Sequence, residues 1–77
     1  MSVIEHEDLL EMLSGRELEV FRMLGQAKGT RKIAEELNLN IATINTFRAR
    51  IKEKLQLKTS TELLLHAIQW YRENGGK

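Results

Sequence analysis

Residues 33–47, IAEELNLNIATINTF, decide how this chain folds. Ile33, Leu37, Leu39, Ile44 and Phe47 are the apolar positions, and Ala34 is a small residue among them. Two helices joined by a turn of three or four residues can cross steeply only under two conditions. A small residue must sit where the backbones approach, and apolar side chains must fill the angle between them. This stretch meets both, and its spacing suits a helix-turn-helix better than a straight antiparallel hairpin. Asn38 ends the first of the two helices, because Asn tolerates the left-handed conformation better than any other residue except Gly. Asn40 is a good N-cap for the second, which runs from Ile41 to about Leu55 with Ile44, Phe47, Ile51 and Leu55 facing inward. A generic three-helix core could use the same residues for packing alone.

The outward face of the second helix separates those readings. With Ile44 pointing inward and about 100° per residue, Ala42, Asn45, Thr46, Ala49 and Glu53 point outward, with Arg50 and Lys52 on the shoulders. A helix entering the major groove needs a slim exposed face carrying short groups for base edges. It also needs cations at its margins to meet phosphates. Ala42, Asn45, Thr46 and Ala49 satisfy the first requirement; Arg50, Lys52 and Lys54 satisfy the second. Asn45 can pair bidentately with an adenine edge, and the methyls of Thr46 or Ala49 can touch a thymine methyl. Glu53 is a mild objection, but it lies where the helix should be leaving the groove.

Working outward, Ser14-Gly15-Arg16-Glu17 is a capping box, with Leu13 and Leu18 at the hydrophobic-staple positions. It opens a helix from about Gly15 to about Gln26, whose buried face should hold Leu18, Phe21 and Leu24, flanked by Val20. Gly29 or Thr30 then precedes the short helix that contains Ile33, Ala34 and Leu37. Thr59-Ser60-Thr61-Glu62 is a second capping box and opens a last helix through about Glu73. Leu64, Ala67, Ile68 and Tyr71 would form its inner stripe. The acidic stretch 1–13 is expected as a lead or linker with some packing at its end, and 14–77 as the domain. No strand pattern, repeat or low-complexity segment interrupts the expected all-α, four-helix architecture.

The 77 residues are 42% hydrophobic and 30% charged, as in a globular domain. Without cysteine, disulfides, thiolate metal sites and a cysteine nucleophile are excluded. No apolar run approaches the roughly 18 residues of a membrane span, and no signal-peptide pattern opens the chain; a cytoplasmic location is expected. The net charge of +1 hides an asymmetry: residues 1–26 carry −4, whereas residues 41–58 carry +4. A basic block of that kind is a footprint for a nucleic-acid backbone, or else a solvated helix face.

The segments LSGRELEV (13–20), KIAEEL (32–37), TINTFRARIKEKL (43–55) and LKTSTEL (57–63) resemble the LuxR/GerE-type helix-turn-helix domain. Domains of that type end two-component response regulators, including the NarL/FixJ type, and quorum-sensing regulators. The resemblance runs from residue 13 to about 71. It implies that the third helix enters the major groove of double-stranded DNA, with Asn45, Thr46, Ala49 and Ala42 towards bases. It further implies phosphate contacts from Thr43, Arg48, Arg50, Lys52, Lys54 and Lys32, and a homodimer through the fourth helix. Asn38 and Gln56 stand where Gly is usual, Phe47 stands where His or Tyr is common, and Ala49 replaces a longer polar side chain of some members.

Leu65, His66 and Trp70 exceed what one inner stripe needs, and a two-fold dimer would bury such an edge against its own copy. Together with Leu63 they form the expected dimer interface; the alternative is that they cover the chain's own core or that the N-terminal strap lies over them. His6 and His66 lack ligand-spaced neighbours, so no metal and no cofactor are expected. Ser14, Thr30, Thr59 and Thr61 read as caps or polar surface without a paired base, so no enzyme activity, small-molecule substrate or membrane partner is expected. A competing reading keeps the fold but not the DNA role: a module that heterodimerises with a regulator through its fourth helix.

Overall fold

The computed structural model of the chain describes residues 10–75. Among these residues there are four α-helices and no strand: α1 (Gly15–Gly25), α2 (Thr30–Leu37), α3 (Ile41–Lys54) and α4 (Ser60–Trp70). A π-helical turn, Tyr71–Gly75, continues α4, so the α-helix stops short of the expected Glu73. Expectations for residues 1–9 lie outside the described residues.

Local chemistry sets the helix starts. Ser14 Oγ accepts from the Glu17 amide at 3.1 Å while Glu17 Oε1 accepts from the Ser14 amide at 2.9 Å. Thr59 and Glu62 repeat this reciprocal cap at the start of α4. Asn40 Oδ1 accepts from the Thr43 amide at 2.8 Å. Each cap satisfies backbone donors that a helix leaves without partners in its first turn.

The helix ends share one device. Ala27, Asn38 and Gln56 have φ of 67°, 59° and 61°, and each follows an α-helix. In every case the next residue donates back across the last turn: Lys28 to Met23, Leu39 to Ala34 and Leu57 to Lys52. These are Schellman closures, which reverse the chain within two residues and satisfy helix-terminal carbonyls. Glycine fits this conformation best, so Asn38 and Gln56 hold it against a steric cost that is smaller for Asn. The closure at Ala27 carries no turn-forming residue and left no mark in the sequence.

The core collects Val20, Phe21, Met23 and Leu24 of α1, Ile33 and Ala34 of α2, Ile44 and Ile51 of α3, and Leu63 and Ala67 of α4, joined by Leu55. Leu10 and Leu13, at the end of the acidic lead, are buried in the same cluster. Helix α1 lies against α4 closely enough that a Cβ on Gly25 would fall 2.6 Å from Tyr71 Cβ and still nearer the Ala67 carbonyl oxygen. Only glycine permits that approach, and it sets which faces of the two helices turn inward.

Two expected stripes are corrected here. Leu18 is 37% exposed rather than buried, because α1 turns Val20, Phe21 and Leu24 inward together with Glu17. Leu64 is 38% exposed, whereas Leu63 is fully buried. The inner stripe of α4 is Leu63–Ala67–Trp70, with Trp70 stacked at a tilt on Phe21, 5.5 Å between ring centroids. Leu63 is therefore core, and its side chain cannot serve a dimer contact.

Candidate nucleic-acid interface

Helix α3 is anchored on one side and open on the other. Ile44 and Ile51 are fully buried, and Phe47 packs against the core. Ala42, Asn45, Thr46, Ala49, Arg50 and Glu53 are all exposed. The outward set read from helical spacing is thus at the surface in one contiguous strip.

Within that strip the polar groups differ in what they have free. The Thr46 hydroxyl donates to the Ala42 carbonyl one turn back, 3.1 Å away, which leaves its methyl as the group without a commitment. Thr43 gives its hydroxyl to the Asn40 cap at 2.9 Å, so at the helix start it is a capping residue as well as a surface one. Asn45 makes no side-chain hydrogen bond among the described residues, and its amide is available to an incoming donor and acceptor pair.

The cations divide more sharply. Arg50 is exposed and Lys52 half-buried. Arg48 donates to the Thr30 hydroxyl at the start of α2, which ties the two helices of the motif together; a guanidinium has further N–H groups to offer. Lys32 lies on α2, 3.7 Å from Glu36, which also takes Lys28 at 2.8 Å. The Lys28 hydrogen bond, more than any other contact, holds the Glu36 carboxyl below its usual value. Lys54 points elsewhere: its ammonium is 2.7 Å from Glu17 Oε1 on α1. Of the expected phosphate ligands it is the one whose charge is already matched by a buried partner.

Glu17 is the one buried polar or charged residue among the described residues, 4% exposed. Burial would raise its pKa, but the Lys54 ammonium and the Ser14 amide outweigh that, with help from the charge of Arg50. The carboxyl is held below its ordinary value and stays ionised. Sequence reasoning identified Glu17 as a capping residue and Lys54 as a surface cation. That they meet, 37 residues apart, had no local signal.

On α4, Leu65 is 60% exposed beside Leu64, His66 is half-buried, and Trp70 is turned towards Phe21. No group of three or more metal-ligating side chains occurs among the described residues, and none of their helices is long and apolar enough to cross a membrane.

Comparison with known proteins adds the family. The model of the bacterial regulatory proteins of the luxR family, GerE, matches residues 11–67. The chain belongs to this family. It is 34% identical over 62 residues to the oxygen regulatory protein NreC of Staphylococcus carnosus, covering 80% of this chain and 29% of that protein. It is also 34% identical over 65 residues to the response regulator GacA of Pseudomonas aeruginosa, covering 84% of this chain and 30% of that one. The chain thus spans under a third of the length of these curated relatives. No solved structure matches it. Membership in a luxR-type family of regulators supports DNA binding in transcription regulation as the role of this helix-turn-helix fold, and the family is one of regulators, not enzymes.

Proposed function

We propose that the chain binds double-stranded DNA in a sequence-dependent way, with α3 lying in the major groove. The observation that carries this reading is the strip Ala42, Asn45, Thr46 and Ala49, exposed and uncharged on a helix otherwise rich in cations. Side chains this short let a helix axis come close to base edges, and Asn45 has an unoccupied amide suited to adenine. Arg48, Arg50, Lys52 and Lys32, with the Thr43 region at the helix start, meet the flanking phosphates and set the register. DNA as partner implies work in the cytoplasm.

Binding as a two-fold dimer is supported by the exposed face of α4. Leu64 and Leu65 present adjacent apolar side chains to solvent, and a self-complementary contact would bury both on each copy. His66 lies beside them, and Trp70 can contribute only its outer edge. The chain matches part of a response regulator, and the unit would act as the DNA-binding portion of a regulator of that kind. The same leucines also suit capture of a different regulator without DNA contact.

Selecting bound duplexes from a random pool at low salt tests the reading. The expected result is an enriched motif with two-fold symmetry, bound less tightly as salt rises. Failure to retain any duplex would leave the heterodimer reading standing.

A further inference from the structure

The contact between Glu17 and Lys54 joins the first turn of α1 to the last residue of α3, and nothing in a generic three-helix core requires it. Both Lys54 and the Ser14 amide donate to the same oxygen, Glu17 Oε1, at 2.7 and 2.9 Å. The capping box of α1 and the end of α3 therefore form one hydrogen-bonded knot. Glu17 is buried while Lys54 keeps about a third of its side chain exposed, at 34%. The lysine is thus drawn inward to the carboxylate, rather than the carboxylate outward to water.

A buried ion pair is a poor source of stability, because desolvating two charges offsets most of their attraction; replacing both by apolar groups is often neutral. It is a constraint on geometry, since the buried Glu17 carboxylate left without its cation is strongly disfavoured. Helix α3 is seated on the core through Ile44 and Ile51 and tied at Arg48 by the bond to Thr30. The knot supplies a further polar tie, at the far end of a helix about 21 Å long. Apolar contacts are non-directional, whereas a hydrogen-bonded ion pair holds the end of the helix to one geometry.

We propose that Glu17 and Lys54 are positioning residues: their ion pair sets the tilt of α3 and so its discrimination between sequences, while Lys54 takes no part in phosphate contact. This rests on the reading of α3 as a groove-reading helix. A cation committed to a protein carboxylate releases no counterion from DNA, so its removal leaves the salt dependence unchanged. Loss of a true phosphate contact instead lowers the slope of log K against log salt by about 0.9.

The test uses the duplex selected by the unaltered chain and a scrambled duplex of equal length, each titrated at several salt concentrations. Glu17→Gln/Lys54→Met removes both charges without stranding either one, and Lys54→Arg keeps the cation. Thermal melts establish that each variant is folded at the binding temperature, and Arg50→Ala serves as the phosphate-contact control. The expected result for the double variant is about tenfold weaker binding to the selected duplex, scrambled-duplex binding within twofold, and an unchanged salt slope. Lys54→Arg should keep at least half the discrimination of the unaltered chain, and Arg50→Ala should lower the slope. Equal losses on both duplexes with a slope smaller by about 0.9 would make Lys54 a phosphate ligand and overturn the proposal. Unchanged discrimination in the double variant would also overturn it, by leaving the pair a purely structural role. If the unaltered chain selects no duplex at all, the DNA reading itself fails, and the positioning role falls with it.

Discussion

Helices α1 and α3 both contribute to the centre of the molecule, yet they use their side chains in opposite ways. Of the 11 residues of α1, Glu17, Val20, Phe21, Met23, Leu24 and Gly25 are buried. Of the 14 residues of α3, only Ile44 and Ile51 are. The longer helix is held by two isoleucines, a half-buried Phe47 and polar ties at its middle and end. The shorter one is wedged against α4. On the proposed reading α3 enters a groove and has to keep most of its circumference clear, so the framework that orients it resides elsewhere. In this chain that framework is α1 and α4.

The contrast breaks most visibly at Phe21. Replacing it with Ala should destabilise the fold by about 3–5 kcal/mol, as for a fully buried aromatic, measured by urea unfolding. Gly25→Ala is the next largest. Although Ala is the better helix former, its methyl would collide with the Ala67 backbone and Tyr71 Cβ. A loss of about 1–3 kcal/mol is expected from overpacking, and a gain in stability would show that α1 and α4 lie further apart than described.

On α3 the effects should change kind. Asn45→Ala should leave urea stability within about 0.5 kcal/mol, because the side chain is exposed. It should remove about 1–3 kcal/mol of preference at one base step of the selected duplex, read from binding to single-base variants. A loss of stability without a change in preference would place Asn45 in the framework after all.

The acid limb of the stability curve tests the tie between the two helices. A carboxyl with a folded pKa below its unfolded value stabilises the protein above that unfolded value, and the contribution disappears as pH falls through the folded one. Glu17, Glu36 and Glu62 all lie on that side of the ordinary 4.5. Stability should therefore fall below about pH 4.5, and Glu17→Gln/Lys54→Met should flatten part of that fall. An acid limb identical in the double variant would mean that Glu17 titrates alike in both states. The smallest effect is expected at Ala27, whose φ of 67° is unfavourable for a residue with a Cβ. Ala27→Gly should raise stability by about 1 kcal/mol, seen as an upward shift in Tm.

What could be read from the residues alone divides along the same line. Ser14–Glu17, Asn40, Thr59–Glu62 and the turn at Asn38 were legible because caps and turns are local hydrogen-bond chemistry within four residues. The outward strip of α3 was legible because Ile44, Phe47 and Ile51 leave one choice of inner face. On α4 the run Leu63, Leu64, Leu65, Ala67, Ile68 is apolar on every side, so periodicity cannot choose, and the choice fell on Leu64 instead of Leu63. Gly25 makes that choice in the folded chain, through a contact with Ala67 that is 42 residues distant in sequence. The ion pair of Glu17 with Lys54 is non-local in the same way. It ties one expected phosphate ligand, Lys54, to a carboxylate of α1.

The most direct test of groove reading by α3 is an amide NMR titration of the isotopically labelled chain with its selected duplex. The largest shifts are expected at Ala42, Asn45, Thr46 and Ala49, with smaller ones at Arg50 and Lys52. Shifts confined to Leu64, Leu65 and their neighbours on α4, with the α3 amides unmoved, would contradict it.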